Sequence, residues 1–394
     1  MSLFAAVMTG KGTAAISTIQ VFGGTADALI SKIFKAVGSE PVEFRPGTIS
    51  LGTICENNET IDQVTIGCED SDCFAINCHG NPLIVSGIMQ LLGRHGVTLL
   101  TAEQLLAKIL LSREPNDTIA VEAKLAQLKA KTIQGTKIIA NQVKGGLSER
   151  LKQWRDDIDT KSLEEISGQI DKILTDSLTA KLIITGCSVA IAGPPNTGKS
   201  TLLNCLAGRQ KAIVTDIRGT TRDWVSAQCQ IGPLSAELID TAGLDEGLLA
   251  GTEHDIEKAT QQKTAEVMER ANLILVVLDS SQSASQVDAA LPGTTTDKRV
   301  VTVLNKSDLP TVLNANQLPR ALQDAVRISA KFGTGVEELR GKVQQVLGVA
   351  DFDLQSTVCF TERQEDLLRE LRRAKSRQQA ASTLTELLNG KLAV

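Results

Sequence analysis

No apolar run in this 394-residue chain is long enough to cross a bilayer. The longest, such as Leu273 to Leu278, fall far short of the ~20 residues a spanning helix needs. The opening MSLFAAVMTGKG lacks a basic segment followed by a long apolar core, so secretion is not expected. There is no surplus of positive charge: 41 Lys and Arg stand against 46 Asp and Glu, a net charge of −5. That excludes a general electrostatic grip on nucleic acid, and any RNA contact must be local. The cysteines at 55, 68, 73, 78, 187, 205, 229 and 359 form no C-x-x-C pair, which points to reduced thiols in a cytoplasmic protein. Internal repeats and low-complexity linkers are also lacking. What is there is a globular composition, 42% hydrophobic and 22% charged. The length suits about two to four domains.

Residues 1–102 alternate strand and helix signals. AISTIQVF (15–22), TISLGTI (48–54), IDQVTIGC (61–68), FAINCHG (74–80) and VTLL read as strands. ADALISKIFKAV (26–37) and PLIVSGIMQLLGRHG (82–96) read as helices, the second closing on Gly96. The order β-α-β-β-β-α-β predicts an α+β domain. Over 103–183 apolar residues recur at three- and four-residue steps between charges, which predicts amphipathic helices packed as a bundle. A coiled-coil seam is the rival reading, and Gly145 and Gly146 interrupt it. Residues 184–348 return to strand–helix alternation through SVAIAG, AELID, LILVVLD, VVTVLN and VRIS, the pattern of a doubly wound α/β sheet. Residues 349–394 are helical again. The economical arrangement inserts the α/β domain into a helical domain made of 103–183 and 349–394.

GPPNTGKS (193–200) follows the apolar strand SVAIA and opens a helical run, the context that gives G-x-x-x-x-G-K-[ST] its meaning. Gly193 and Gly198 let backbone approach phosphate oxygens, and successive N–H groups, including those of Asn196, Thr197 and Thr201, face the anion. Lys199 is placed for the β- and γ-phosphates and Ser200 for Mg²⁺. DTAG (240–243) follows another strand; Asp240 takes the Walker-B position and the Gly243 N–H senses the γ-phosphate. In VTDIRGTTRD (214–223) a threonine hydroxyl can complete the Mg²⁺ shell; Thr221 is the choice, with Thr220 beside it. NKSD (305–308) ends a further strand. The Asp308 carboxylate can accept from both N1–H and the 2-amino group of guanine, a donor pair adenine lacks. Asn305 and Lys306 are expected to brace the base and the phosphate loop, and Ser329, Ala330 and Lys331 to complete the base-side loop. Four such motifs in order, each at a strand end, predict a P-loop GTPase binding GTP and GDP.

The set GPPNTGKSTLLNCLAG, AIVTDIRGTTRD, IDTAGL and NKSD closely resembles the MnmE (TrmE) family of tRNA-modification GTPases. TGKGTAAISTIQVFGG, INCHGNPLIVSGIMQLL and FTERQEDLLRELRRA extend the resemblance over most of the chain. Era and Der share much of the G-domain pattern, but Der needs a second G domain and Era a basic KH-type tail, and neither is visible. The resemblance implies an N-terminal tetrahydrofolate-binding-like, dimerising domain and a homodimer. It further implies the flavoprotein MnmG and tRNA as partners, no membrane, and K⁺ in place of an arginine finger. Asn196, Thr215, Ile217 and Thr220 match the family's K⁺ ligands. Arg218 and Arg222 are then solvated or salt-bridged rather than fingers. The water-orienting acid maps to Glu257 when LILVVLD is the anchor; counting from Gly243 gives Thr252, beside Glu253.

The chain departs from the family in three places. It ends LLNGKLAV where members carry Cys-x-Gly-Lys. The loop before INCHG is reduced to EDSDC (69–73). Gln20 replaces a first-strand Arg that helps hold a tetrahydrofolate derivative, removing a carboxylate contact. His79 and Gly80 of the family's HGG remain. Two functions follow: a K⁺-stimulated GTPase of wobble-uridine modification, or a divergent paralogue acting as a GTP-dependent dimeric switch without folate chemistry.

Overall fold

The computed structural model describes residues 2–10, 12–38, 43–57, 59–113, 117–208, 225–241, 264–283, 298–390 and 392. The chain divides into two units, 1–121 with 389–394 and 122–388.

The first unit is built on a mixed sheet. Its elements are β1 (Phe4–Val7), β2 (Ile16–Phe22), α1 (Ala26–Ile33), β3 (Phe34–Ala36), β4 (Thr48–Glu56), β5 (Glu59–Asp70), β6 (Cys73–His79), α2 (Pro82–Arg94), β7 (Thr98–Leu99) and α3 (Ala102–Arg113). The strand order is β3-β4-β5-β6-β2-β1-β7. All pairs are antiparallel except β1 with β7. Alternation along β2 turns Ile19 and Val21 toward a core shared with Ile30 of α1 and Leu91 and Leu92 of α2. Three sequence expectations change here. The helix expected through 37 stops at Ile33, because Phe34 pairs with Ile54 and its ring packs near Phe44. The four-residue β1 carries no alternation that a sequence could display. Helix α3, expected with the helical section, packs Leu105 and Ile109 against Ala6, Phe22 and Cys73.

Helix α4 (Thr118–Gln127) leads into the second unit, which continues through α5 (Ile133–Lys144), α6 (Leu147–Asp156) and α7 (Leu163–Thr185). The interruption at Gly145 and Gly146 separates two helices. Then come β8 (Cys187–Ala192), α8 (Lys199–Ala207), β9 (Val225–Ile231), β10 (Leu234–Asp240), β11 (Leu273–Asp279), β12 (Val300–Asn305) and β13 (Ala325–Arg327). The sheet runs β13-β12-β11-β8-β10-β9, parallel except for β9. Strand β9 is an edge strand that the sequence reading passes over. β11 is buried at every residue, as expected of a parallel strand covered on both faces. Helix α8 and helix Val336–Leu347 cover one face; residues of 264–270 and Leu313, Leu318 and Leu322 cover the other. The final helical stretch divides into Glu362–Arg372 and Arg377–Asn389. Among the described residues no helix is long and apolar enough to cross a membrane.

The chain leaving the sheet is tied to the helices that precede it. Buried Gln142 donates to the carbonyls of Ile138 and Ser356 and accepts from the N–H groups of Leu147 and Val358. Ser177 Oγ accepts from the Cys359 N–H at 2.9 Å. The buried Glu122 carboxylate accepts from Thr361 Oγ1 (2.9 Å), Gln364 Nε2 (2.7 Å) and both Nε and Nη2 of Arg363 (2.9 Å each). Breaking a buried pair strands a charge, at a cost of about 3 kcal/mol or more. Glu122→Ala is therefore expected to lower stability by about that amount in urea titrations. Arg369→Ala, which breaks a surface pair with Glu365, should leave the urea midpoint nearly unchanged.

Cys187 and Cys229 both oppose Ala236, one on each side of β10. Two strand spacings put them about 10 Å apart, beyond disulfide reach. Burial pushes the Cys187 thiol up to about 12 and the Cys229 thiol to about 11, so both stay protonated at neutral pH.

Candidate nucleotide site

The loop 193–198 joins β8 to α8 and brings the first of the expected residues together. Gly193 has φ +146° and Gly198 +91°. A Cβ on Gly193 would lie 2.2 Å from the Val277 carbonyl oxygen, and one on Gly198 2.4 Å from Asn305 Nδ2. Both positions thus require glycine for conformation and for room. Thr197 Oγ1 donates to the Pro194 carbonyl at 3.0 Å and braces the turn. Asn196 stands at the loop's exposed tip with φ +62°, a conformation asparagine tolerates. Lys199 begins α8, and its buried ammonium donates to the carbonyls of Gly193 and Pro194, at 2.8 Å each. The loop is thus wrapped around a cation at a helix N-terminus, an arrangement that attracts an anion.

Asp240 ends β10, beside β8 in parallel register. Ser200 Oγ donates to Asp240 Oδ2 at 2.6 Å. A hydroxyl and a carboxylate so placed are hard oxygen donors suited to Mg²⁺. Thr201 lies exposed one residue further along α8.

The residues expected on the base side gather at the ends of β12 and β13. Asn305 Nδ2 donates to the Thr197 carbonyl at 2.8 Å, and its Oδ1 accepts from the Ala330 N–H at 2.9 Å. One buried amide therefore ties the phosphate loop to the 329–331 loop. Ser329 Oγ donates to Asp308 Oδ1 at 2.6 Å. Lys331 is exposed, with its ammonium 5.1 Å from the centre of the Phe332 ring.

Lys306 departs from expectation. Instead of bracing the phosphate loop with Asn305, its ammonium lies 2.7 Å from Asp279 Oδ2 at the end of β11. Sequence reading passes over Asp279, which there is one acid after an apolar run. Its Oδ1 also accepts from Ser281 N and Oγ. Burial opposes ionisation, but the hydrogen bonds from Lys306 and Ser281 outweigh it and hold the carboxyl below its ordinary value. A depressed carboxyl stabilises the fold above the ordinary carboxylate range, and this contribution fades as pH falls through the folded value. Thr215, Ile217, Arg218, Thr220, Thr221, Arg222, Gly243, Thr252, Glu253 and Glu257 lie outside the described residues.

A phosphate cradle at a helix N-terminus, beside a hydroxyl–carboxylate pair and on a parallel sheet, defines the P-loop nucleotide-binding class. The family profile described as 50S ribosome-binding GTPase matches residues 188–306. The tRNA modification GTPase MnmE of Enterococcus faecalis is 30% identical over 98% of this chain and 88% of the relative. That of Ligilactobacillus salivarius is 31% identical over 91% of this chain and 83% of the relative. Among solved structures, the G domain of the T. maritima FeoB iron transporter is 25% identical, with 41% of this chain and 98% of that domain covered and a TM-score of 0.30. The chain belongs to the MnmE family of tRNA modification GTPases, and it is a GTP hydrolase.

Proposed function

We propose that this protein hydrolyses GTP in tRNA wobble-uridine modification. The N-terminal domain takes in residues 1–102 together with α3, the helical domain comprises the rest of 103–183 with 349–394, and the G domain of 184–348 is inserted into it. The amides of 193–201 and the Lys199 ammonium hold the phosphates. Ser200 and Thr221 would hold Mg²⁺, with Asp240 reaching it through water, and the ion would neutralise charge on the phosphates when bound. Asp308, steadied by Ser329, reads the guanine edge. Glu257 orients the attacking water, and Gly243 senses the γ-phosphate. Asn196, Thr215, Ile217 and Thr220 would supply oxygens for K⁺, which would add positive charge at the phosphates; the protein acts as a cytoplasmic homodimer that pairs through its G domains, with MnmG and tRNA as partners.

The residues around Gln20 do not fit the carboxylate of a tetrahydrofolate derivative. Gln20 Nε2 is committed to Glu69 Oε2 at 2.7 Å and lies 3.2 Å from Cys73 Sγ. A neutral amide facing a carboxylate does not fit a folate carboxylate.

The observation that carries the reading is identity near 30% along nearly the whole chain, joined to the phosphate cradle at 193–200. Disruption of the gene, followed by mass spectrometry of total tRNA nucleosides, is expected to deplete modified wobble uridines. Unchanged nucleosides would overturn the tRNA role and leave the dimeric-switch reading.

A further inference from the structure

We propose that Asp279 is a positioning residue for the nucleotide site: it anchors the Lys306 ammonium so that the lysine's methylene stem forms a fixed wall beside the base. This rests on the reading of 305–308 as the base-side segment. Asp279 and Asn305 face each other in the parallel register of β11 and β12, so the acid is set by the sheet rather than by a loop. The Ser280 N–H donates to the Asn305 carbonyl at 2.9 Å and closes the pairing just beyond it. The two Asp279 oxygens are engaged separately, Oδ1 by Ser281 and Oδ2 by the Lys306 ammonium. The Asp279 side chain is only 7% exposed, against 32% for that of Lys306.

Lys306 itself has φ +62°, a conformation that lysine rarely adopts and that neighbouring contacts must hold. Its ammonium is turned to Asp279, while the Asn305 amide reaches the phosphate loop. What Lys306 offers the site is therefore its hydrocarbon stem, two residues before Asp308. An unanchored four-carbon stem samples many rotamers, and ordering it on binding would reduce affinity. With Asp279 in place that ordering precedes the nucleotide. The effect belongs to the base side, so GDP and GTP should share it.

The test uses the full chain, a fluorescent methylanthraniloyl-GDP probe and steady-state GTP turnover. Asp279→Asn is expected to raise the probe's Kd and the KM for GTP together, about five- to tenfold. The kcat should move by less than about twofold, since no group on the γ-phosphate changes. In a Lys306→Met background, which keeps a stem without the ammonium, Asp279→Asn should add almost nothing. Independent losses in the double variant, a fall in kcat at constant KM, or an unchanged Kd would each overturn the proposal. Should Asp279→Asn fail to fold, Lys306→Met against Lys306→Ala decides: equal Kd values refute the wall. A parent protein that prefers no base would sink the base-side reading itself. A parent that prefers guanine while Asp279→Asn stays silent sinks only the anchor.

Discussion

Asp308→Asn is expected to exchange the nucleotide preference from GTP to XTP, with GTP binding weakened about a hundredfold or more. Guanine presents two donors side by side, N1–H and the 2-amino group. A carboxylate accepts both. Ser329 Oγ donates to Asp308 Oδ1 at 2.6 Å, which fixes the plane of the group and should keep the oxygen of an asparagine on the same side. The asparagine NH₂ would then meet the guanine 2-amino group, donor against donor. Xanthine carries a carbonyl oxygen at that position and accepts the same hydrogen. Because the two side chains are nearly equal in size, the phosphate cradle should be undisturbed. Competition of GTP and XTP against a fluorescent guanine nucleotide measures the exchange. If Asp308→Asn keeps the parent's order of preference, Asp308 does not read the base.

The site was legible wherever chemistry depends on spacing along the chain. The phosphate loop needs glycine at two fixed positions, and the Val277 carbonyl and Asn305 amide press against the places where side chains would stand. Asp240 and Asn305 end strands, so an apolar run followed by one polar residue announced them. Asp279 ends a strand in the same way, but its partner Lys306 lies on another strand end and no spacing joins them. Glu122 and Arg363 are 241 residues apart, and each alone reads as a surface charge on a helix. Gln142 is wholly buried yet carries no apolar signature, because its worth lies in four hydrogen bonds to backbone. The helical period of 26–37 misled at Phe34, whose apolar ring suits a strand as well as a helix. Patterns along one segment were readable. Pairings set by tertiary packing were not.

Removing the Asn196 side chain should abolish the preference for K⁺ over Na⁺ and lower GTP turnover in K⁺ by about two orders of magnitude. In phosphoryl transfer, charge gathers on the oxygens between the β- and γ-phosphates, so a cation placed there acts on the transition state more than on bound GTP. On the proposed reading Lys199 is one such cation, and its ammonium is held inside the loop by the Gly193 and Pro194 carbonyls. Asn196 stands on the exposed tip, where its carboxamide oxygen is a hard, neutral donor. Neutral oxygens suit a monovalent ion, since added carboxylates would cancel its charge. Alanine at φ +62° adds backbone strain of its own, so Asn196→Gly is the cleaner variant: it removes the oxygen and keeps the left-handed turn. Both variants should retain GDP affinity within a few fold, because the amides and Lys199 proposed to hold the phosphates are untouched. Turnover measured in KCl and NaCl at equal ionic strength separates the effect from screening. Equal rates of the parent protein in the two salts would refute the cation assignment, whatever the variants do.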